Sequence, residues 1–358
     1  MKPEIIKNRV SAIRRTLNKK KIASLLLTTP ANVTYTTGFL GEDSWALITN
    51  RGIWLLTDSR YTEQAQKQCP QSKIIERTGP IAQATGQLVK KLKAIKNVTV
   101  ENSASLAAFE ALKKNLNKRI RTSENIIEEL RTIKDQSEIA AIKKAAQIAA
   151  AALKKTTRYI KPGITENELA GTLDFQIRKL AAVNSFPTIV AFGPNASLPH
   201  YQPAARKLKK NDTILIDFGA KYKGYCSDIT RCFAVGKPTA FYKKLCNAAE
   251  QAQDAALKMI KAGVQIKKVD AAARSVIAKH DLPVYGHGTG HGLGLQIHEA
   301  PTLAANIKGK LKAGNIITIE PGIYIPGKAG VRIEDDILVT KTGYKILTDS
   351  CPHRHLPR

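Results

Sequence analysis

No apolar run in this 358-residue chain approaches the roughly 18 to 20 residues that a membrane helix requires. A helical span is therefore excluded, and no membrane partner is expected. Cysteine is scarce: Cys69, Cys226, Cys232, Cys246 and Cys351 form no CxxC pair and no repeating spacing. That argues against a disulfide framework and for a reducing compartment, with the cytoplasm the expected location. The basic N-terminus is followed only by the short run IASLLL, without a small-residue cleavage site, so no secretion signal is expected. Acidic residues are few: 29 Asp and Glu stand against 57 Lys and Arg, a formal net charge of +28. The cations run from Lys2 to Arg358 in short groups without aromatic interleaving or a reader motif. They read as a solvated surface, not a nucleic-acid interface.

What is present is patterned in two halves, as the length prior for a chain of this size suggests. Residues 22–58 alternate short apolar runs with turn signals: IASLLLT, a TTPAN turn, SWALITN, the Arg51-Gly52 break and IWLLTD. These are strand signatures, and with helical stretches at 59–69, 80–96 and 103–117 they predict an α/β unit over residues 1–122. One long helical pattern runs from Ser123 to Ile160 and stops at Pro162-Gly163. Beyond it come a helix near 166–182, a hairpin at 211–235, a helix near 240–261 and strands at 316–325 and 331–340. This predicts an α+β unit over residues 123–358. No internal repeat is evident in the local pattern.

The hairpin carries the first chemistry. A two-residue turn centred on Tyr222-Lys223 would set Asp217 directly opposite Asp228, both on one face and flanked by ILI and FAV. Two carboxylates so close repel unless a positive charge lies between them, and a divalent cation supplies it. Glu320 closes the strand GNIITIE and Glu334 lies in GVRIED on the next, a second acidic pair with a looser register. The stretch GHGTGHGLGLQIHEAP packs His287, His291 and His298 among glycines that let the backbone bend and approach a ligand closely. Four carboxylates and an imidazole make a hard, oxygen-rich ligand set suited to two divalent metals. His280, His353 and His355 match no motif and read as structural. Cys226 and Cys232 read as small buried hydrophobes.

These motifs resemble the pita-bread metallopeptidases, in particular the Xaa-Pro aminopeptidase and Xaa-Pro dipeptidase (prolidase) branch. The family's five metal ligands fall on Asp217 in IDFGA, Asp228 in SDITR, His291 in GTGHGLGL, Glu320 in TIEPGIY and Glu334 in VRIEDD. His200 in GPNASLPH, His287, His298, Tyr324 in EPGIY and Arg332 match positions that line the substrate site. TTPANVTYTTGF, WLLTDSRYTEQA and LRTIKDQSEIAAIKKA resemble the creatinase-type N-terminal domain and the start of the catalytic domain.

The resemblance implies a creatinase-type α/β domain followed by an α+β pita-bread catalytic domain. It also implies a metal-dependent enzyme that hydrolyses the bond before proline in short peptides, as an aminopeptidase or alternatively a dipeptidase. Two divalent cations are expected, manganese first, with cobalt, iron or zinc also compatible. Glu320 would bridge the metals and move the proton to the leaving nitrogen, while His298 and His200 would donate hydrogen bonds to the reacting carbonyl and substrate backbone. The N-terminal domain resembles ones that dimerise, so a homodimer is expected. A non-enzymatic binding module and a creatinase-type amidinohydrolase are the rivals on this fold, and the intact ligand set weighs against both.

Overall fold

The alternating apolar runs of the first half become, in a computed structural model that describes residues 3–351 and the backbone of 355–357, the strands of one mixed sheet. His353 and the side chain of His355 lie outside the described residues. The strands are β1 (Ser24–Leu27), β2 (Trp45–Thr49), β3 (Ile53–Asp58), β4 (Lys73–Arg77), β5 (Asn97–Glu101) and β6 (Arg119–Ser123). Their order is β4-β3-β2-β1-β5-β6, antiparallel through β1, β2 and β3 and parallel toward both edges. Helices α1 (Pro3–Lys19), α2 (Pro30–Thr37), α3 (Thr62–Gln68), α4 (Ile81–Lys91), α5 (Leu106–Asn115) and α6 (Ile126–Arg131) complete this unit. Leu26, Leu47, Leu56, Val98 and Val100 form its core with Val89 and Leu112. The TTPAN segment is not a turn: Pro30 opens α2, where a fixed φ and a missing N–H cost a helix nothing.

The chain divides into compact units at Met1–Arg131 and Thr132–Arg358, whereas the sequence pattern places the boundary after residue 122. The long helix expected from Ser123 is in fact two. The second, α7 (Gln136–Thr156), starts at a new N-cap, where Asp135 accepts from the backbone of Ser137 and Glu138 while Glu138 returns to the Asp135 N–H.

The second unit is built twice over, which the sequence pattern did not disclose. One half holds α7, α8 (Glu166–Lys179), β7 (Val183–Asn184), β8 (Ile189–Phe192), β9 (Thr213–Phe218), β10 (Ala220–Tyr222), β11 (Tyr225–Cys226) and β12 (Ile229–Ala234). The other holds α9 (Ala240–Met259), α10 (Ile266–Lys279), β13 (Gly290–Gly292), β14 (Glu299–Leu303), β15 (Ile316–Ile319), β16 (Gly322–Ile325), β17 (Ala329–Arg332) and β18 (Asp335–Val339). β19 (Tyr344–Ile346) and β20 (His355–Pro357) add to the edges of the two sheets. The backbone hydrogen bonds repeat between the halves. Gly163 N–H donates to Leu208 O and Gly263 N–H to Leu311 O, Glu166 N–H to Arg206 O and Ile266 N–H to Gly309 O, Val235 N–H to Asp212 O and Val339 N–H to Asn315 O. Each helix pair packs an apolar face on strands of the unit, α7 and α8 over one core and α9 and α10 over another.

Two local findings correct the expected registers. The first hairpin turns at Lys223-Gly224, both at positive φ (50° and 86°), as a two-residue turn of this twist requires. Asp217 therefore faces Thr230, not Asp228, although Asp228 is two residues from Thr230 and keeps the same parity. The strands expected at 316–325 and 331–340 each break in the middle. β15 pairs with β18 up to Ile319 and Asp335, and β16 with β17 from Gly322 and Arg332, so the register carries straight across the gap and sets Glu320 opposite Glu334.

A Cβ built on Gly290 would sit 1.9 Å from the Thr318 carbonyl oxygen, whereas one on Gly171, in the exposed interior of α8, would meet nothing within 4 Å. Gly290→Ala should lower stability by about 1–3 kcal/mol, because backbone must shift. Gly171→Ala should raise it by about 0.5–1 kcal/mol through unfolded-chain entropy and helix propensity. Denaturant midpoints of the two variants check this, and equal shifts would contradict it.

Candidate metal centre

Asp217 lies near the end of β9, Asp228 just before β12, His291 in the middle of β13, and Glu320 and Glu334 at the shared break of the second hairpin. The break follows from what the backbone does there. Pro321 has no N–H, Glu320 N–H donates instead to Thr289 O (2.8 Å), and Glu334 N–H to Thr230 O (3.3 Å). Each glutamate is thus held by backbone outside its own hairpin, and both side chains converge on the histidine.

Asp228, His291 and Glu334 offer ligand atoms within 4.8 Å of one another. His291 Nε2 is 3.5 Å from Asp228 Oδ2 and 3.5 Å from Glu320 Oε1. Its Nδ1 is 3.0 Å from Gly292 O, which leaves Nε2 facing the acids. Asp217 is joined to the cluster through Arg332, whose Nη2 donates to Asp217 Oδ2 (2.5 Å) and whose Nε donates to Thr230 Oγ1 (3.1 Å). Thr230 in turn donates to Glu334 Oε2 (2.6 Å). Thr318 accepts from the His291 N–H and donates to Glu320.

Burial, and then the neighbouring carboxylates, push Asp228 and Glu334 well above the ordinary carboxylate range. Burial raises Asp217 against the opposing pull of Arg332, and raises Glu320 to about 7. Burial also lowers His291 to about 4, so its imidazole is neutral near neutral pH and available as a ligand. Asp217 Oδ1 is buried without a hydrogen-bond partner. An orphaned carboxylate oxygen, crowded acids and a neutral imidazole with a free Nε2 are the donor set of a hard divalent cation, and these residues fit one.

The other expected site residues lie around this cluster. His287 Nδ1 is 3.9 Å from Glu320 Oε2, and His287 Nε2 is 3.1 Å from the Tyr324 hydroxyl. The His298 ring stands edge-on to His291 with centroids 4.5 Å apart, and it is exposed. His200 is exposed, and a positive charge on either His200 or His298 would act on Asp217. Arg332 is 3% exposed and also donates to the Tyr324 hydroxyl (2.8 Å) and Pro199 O (3.4 Å). It therefore braces Asp217, Tyr324 and the His200 loop from behind.

Sequence reasoning missed the supports. Asp270 accepts from Arg274 Nε and Thr289 Oγ1 (both 2.7 Å), and Arg274 donates to Tyr285 O and His287 O, which fixes the arch carrying His287. Tyr285 stacks on His287. Lys134 pairs with Glu299 (3.0 Å) beside His298, both nearly inaccessible. Asp336 accepts from the Asp228 N–H. Parity along β12 was the one available signal, since it puts Thr230 beside Asp228.

Two descriptions match the chain: "Metallopeptidase family M24" over residues 140–341 and "Creatinase/Prolidase N-terminal domain" over residues 9–133. This chain belongs to metallopeptidase family M24. The M24 enzyme is a metal-dependent peptidase with a creatinase-type N-terminal domain. It is 38% identical over 348 residues to the uncharacterized peptidase YqhT of Bacillus subtilis (strain 168), covering 96% of this chain and 98% of that protein. Among solved structures it is similar to the Xaa-Pro dipeptidase from Bacillus anthracis, with TM-score 0.93 and 38% identity over 99% of this chain and 100% of that one. It is also similar to the X-Pro aminopeptidase from Thermotoga maritima MSB8, with TM-score 0.89 and 34% identity over 96% and 100%. Among its described residues no helix is long and apolar enough to cross a membrane.

Asp270→Asn would turn an acceptor toward one of two donors into a donor. It should cost the M24 peptidase about 1–3 kcal/mol of stability, the usual penalty for a buried unpaired polar group. Denaturant titration measures it, and an unchanged midpoint would remove Asp270 from the support of the arch.

Proposed function

We propose that this chain hydrolyses the peptide bond before proline and releases the N-terminal residue of short Xaa-Pro peptides. The observation that carries the reading is the convergence of Asp228, His291 and Glu334, with Glu320 on His291 and Asp217 behind Arg332. All five positions are those that the resemblance to Xaa-Pro peptidases marks as ligands. Asp217, Asp228, His291, Glu320 and Glu334 would hold two divalent cations, which would supply Lewis-acid polarisation and activate water. The oxygen-rich donors favour manganese. Five buried free cysteines suit a cytoplasmic setting, and the N-terminal domain is read as that of a homodimer.

The residues of the chain would divide the remaining work. Glu320 would take a proton at its carboxylate and pass it to the leaving nitrogen. His298 and His200, exposed beside the buried acids, would donate hydrogen bonds to the carbonyl oxygen as charge develops on it and to the substrate backbone. His287 and Tyr324, hydrogen-bonded to each other, would form a fixed wall for the proline ring. The bond before proline is a tertiary amide with no N–H, so a site that grips only the carbonyl and the ring suits it.

Arg332 bears on where the chain cuts. Its guanidinium is committed to Asp217, Thr230, Tyr324 and Pro199 O, which leaves little with which to clamp a free carboxylate after proline. That favours the aminopeptidase reading. The 38% identity to a structure named Xaa-Pro dipeptidase favours the second reading, cleavage of Xaa-Pro dipeptides alone.

Manganese-loaded enzyme tested on Ala-Pro, Ala-Pro-Ala, Ala-Ala and Ala-Ala-Ala decides between them. The expected result is cleavage of Ala-Pro-Ala far faster than Ala-Ala-Ala, abolished by chelation and restored by metal. Cleavage of Ala-Pro alone would establish the dipeptidase, and equal rates on alanine and proline substrates would sink both readings. His298→Ala should leave metal content near wild type while lowering kcat by about 100-fold or more, the scale for losing one preorganised donor. Loss of metal with unchanged turnover per bound metal would instead make His298 a ligand.

A further inference from the structure

The geometry points to Gln253 as a positioning residue of the metal centre, acting through the backbone of both glutamates. Gln253 is fully buried on the inner face of α9. Its Nε2 donates to Ile319 O (3.1 Å) and Asp335 Oδ2 (3.0 Å) and lies 3.5 Å from Ile333 O. Ile319 and Ile333 are the residues immediately before Glu320 and Glu334. The break in the second hairpin takes both glutamates out of the ladder, and one side-chain amide from a neighbouring helix reaches the carbonyls at that break. Ala249, Ala252 and Ala256, all fully buried, keep that face of α9 low enough for the amide to reach the sheet.

The amide can face only one way. Three acceptors surround Nε2, while Oε1 has no partner, so turning the group over would set oxygen against oxygen at every contact. Asp335, the third acceptor, is itself fixed by Arg231 (2.7 Å) and Thr348 (2.6 Å), and Arg231 also donates to Glu334 O (2.7 Å). Gln253 thus closes a rigid frame around the two residues that present the carboxylates.

The duplicated architecture supplies an internal control. Beyond the helix pairs the two halves match at an offset of 103 positions, with Leu208 against Leu311 as acceptors, whereas through the helix pairs the offset is one hundred, Gly163 against Gly263 as donors and Ile160 to Thr157 against Ile260 to Leu257. The same offset sets Leu153, also fully buried, where the second half has Gln253. Leucine serves at that place under the hairpin of Asp217 and Asp228, whose ladder continues unbroken through Asp217 and Thr230. The amide appears where the ladder is broken. Packing alone therefore does not require it, and a buried amide on an apolar helix face is costly unless its hydrogen bonds are used.

The inference rests on Glu320 and Glu334 being metal ligands. Metal-stripped wild-type, Gln253→Leu and Glu334→Gln proteins are titrated with Mn2+ by calorimetry and with Co2+ by visible absorption, with circular dichroism confirming the fold. Gln253→Leu should weaken Mn2+ binding by about tenfold or more, the scale for supports behind ligands, and shift the Co2+ bands while leaving the dichroism unchanged. Wild-type affinity and bands in Gln253→Leu, with both altered in Glu334→Gln, would overturn the inference and leave the ligand reading standing. Wild-type affinity in Glu334→Gln would overturn the ligand reading itself. Should Gln253→Leu not yield folded protein, Gln253→Asn carries the same test, because an amide shorter by one methylene cannot reach both carbonyls.

Discussion

Mutual repulsion among Asp217, Asp228, Glu320 and Glu334 is the constraint on which the rest of the second unit depends. Burial and neighbouring acids drive the last three of these carboxyls, and burial alone drives Asp217, toward the protonated form. Among the described residues Arg332 is the cation that opposes this, in direct contact at Asp217 and through its charge at Glu320 and Glu334. A chain does not keep such an arrangement for stability, since buried charges without compensation are expensive. The duplicated helices and hairpins can be understood as the scaffold that forces the acids together, and bound divalent cations as what relieves the crowding.

The scaffold does this symmetrically. Each half starts with a helix pair, turns through a glycine at positive φ (Gly163 and Gly263), and delivers two acids from a hairpin. The halves differ where chemistry differs. The first keeps its ladder through Asp217, while the second opens its ladder at Glu320 and Glu334 and hands their N–H groups to Thr289 and Thr230. The Glu334 N–H crosses to Thr230 of the first half while that of Glu320 stays with Thr289 of its own, and the crossing bond makes the geometry of the centre a property of the unit as a whole.

Much of this was legible beforehand. The grouping of Asp217, Asp228, His291, Glu320 and Glu334, the α/β and α+β classes and most strands of both halves follow from period, turn residues and motif. What was not legible depends on contacts between segments distant in sequence. Asp217 faces Thr230 because the turn uses Lys223-Gly224, and either turn position is compatible with the same residues. The breaks at Glu320 and Glu334 need Thr289 and Thr230 as acceptors, which no local pattern announces. The duplication escaped because the two halves share backbone hydrogen bonds more than side chains: Thr165-Glu166 corresponds to Gln265-Ile266. Pro30 was read as a turn residue because proline opens helices as readily as it does turns.

The central claim is that these five residues converge because they hold metal, and anomalous scattering tests it directly. Crystals grown from manganese-loaded protein, measured on both sides of the manganese absorption edge, should show two anomalous peaks bounded by Asp217, Asp228, His291, Glu320 and Glu334. Strong anomalous density elsewhere in the molecule, with none among these five side chains, would contradict the account.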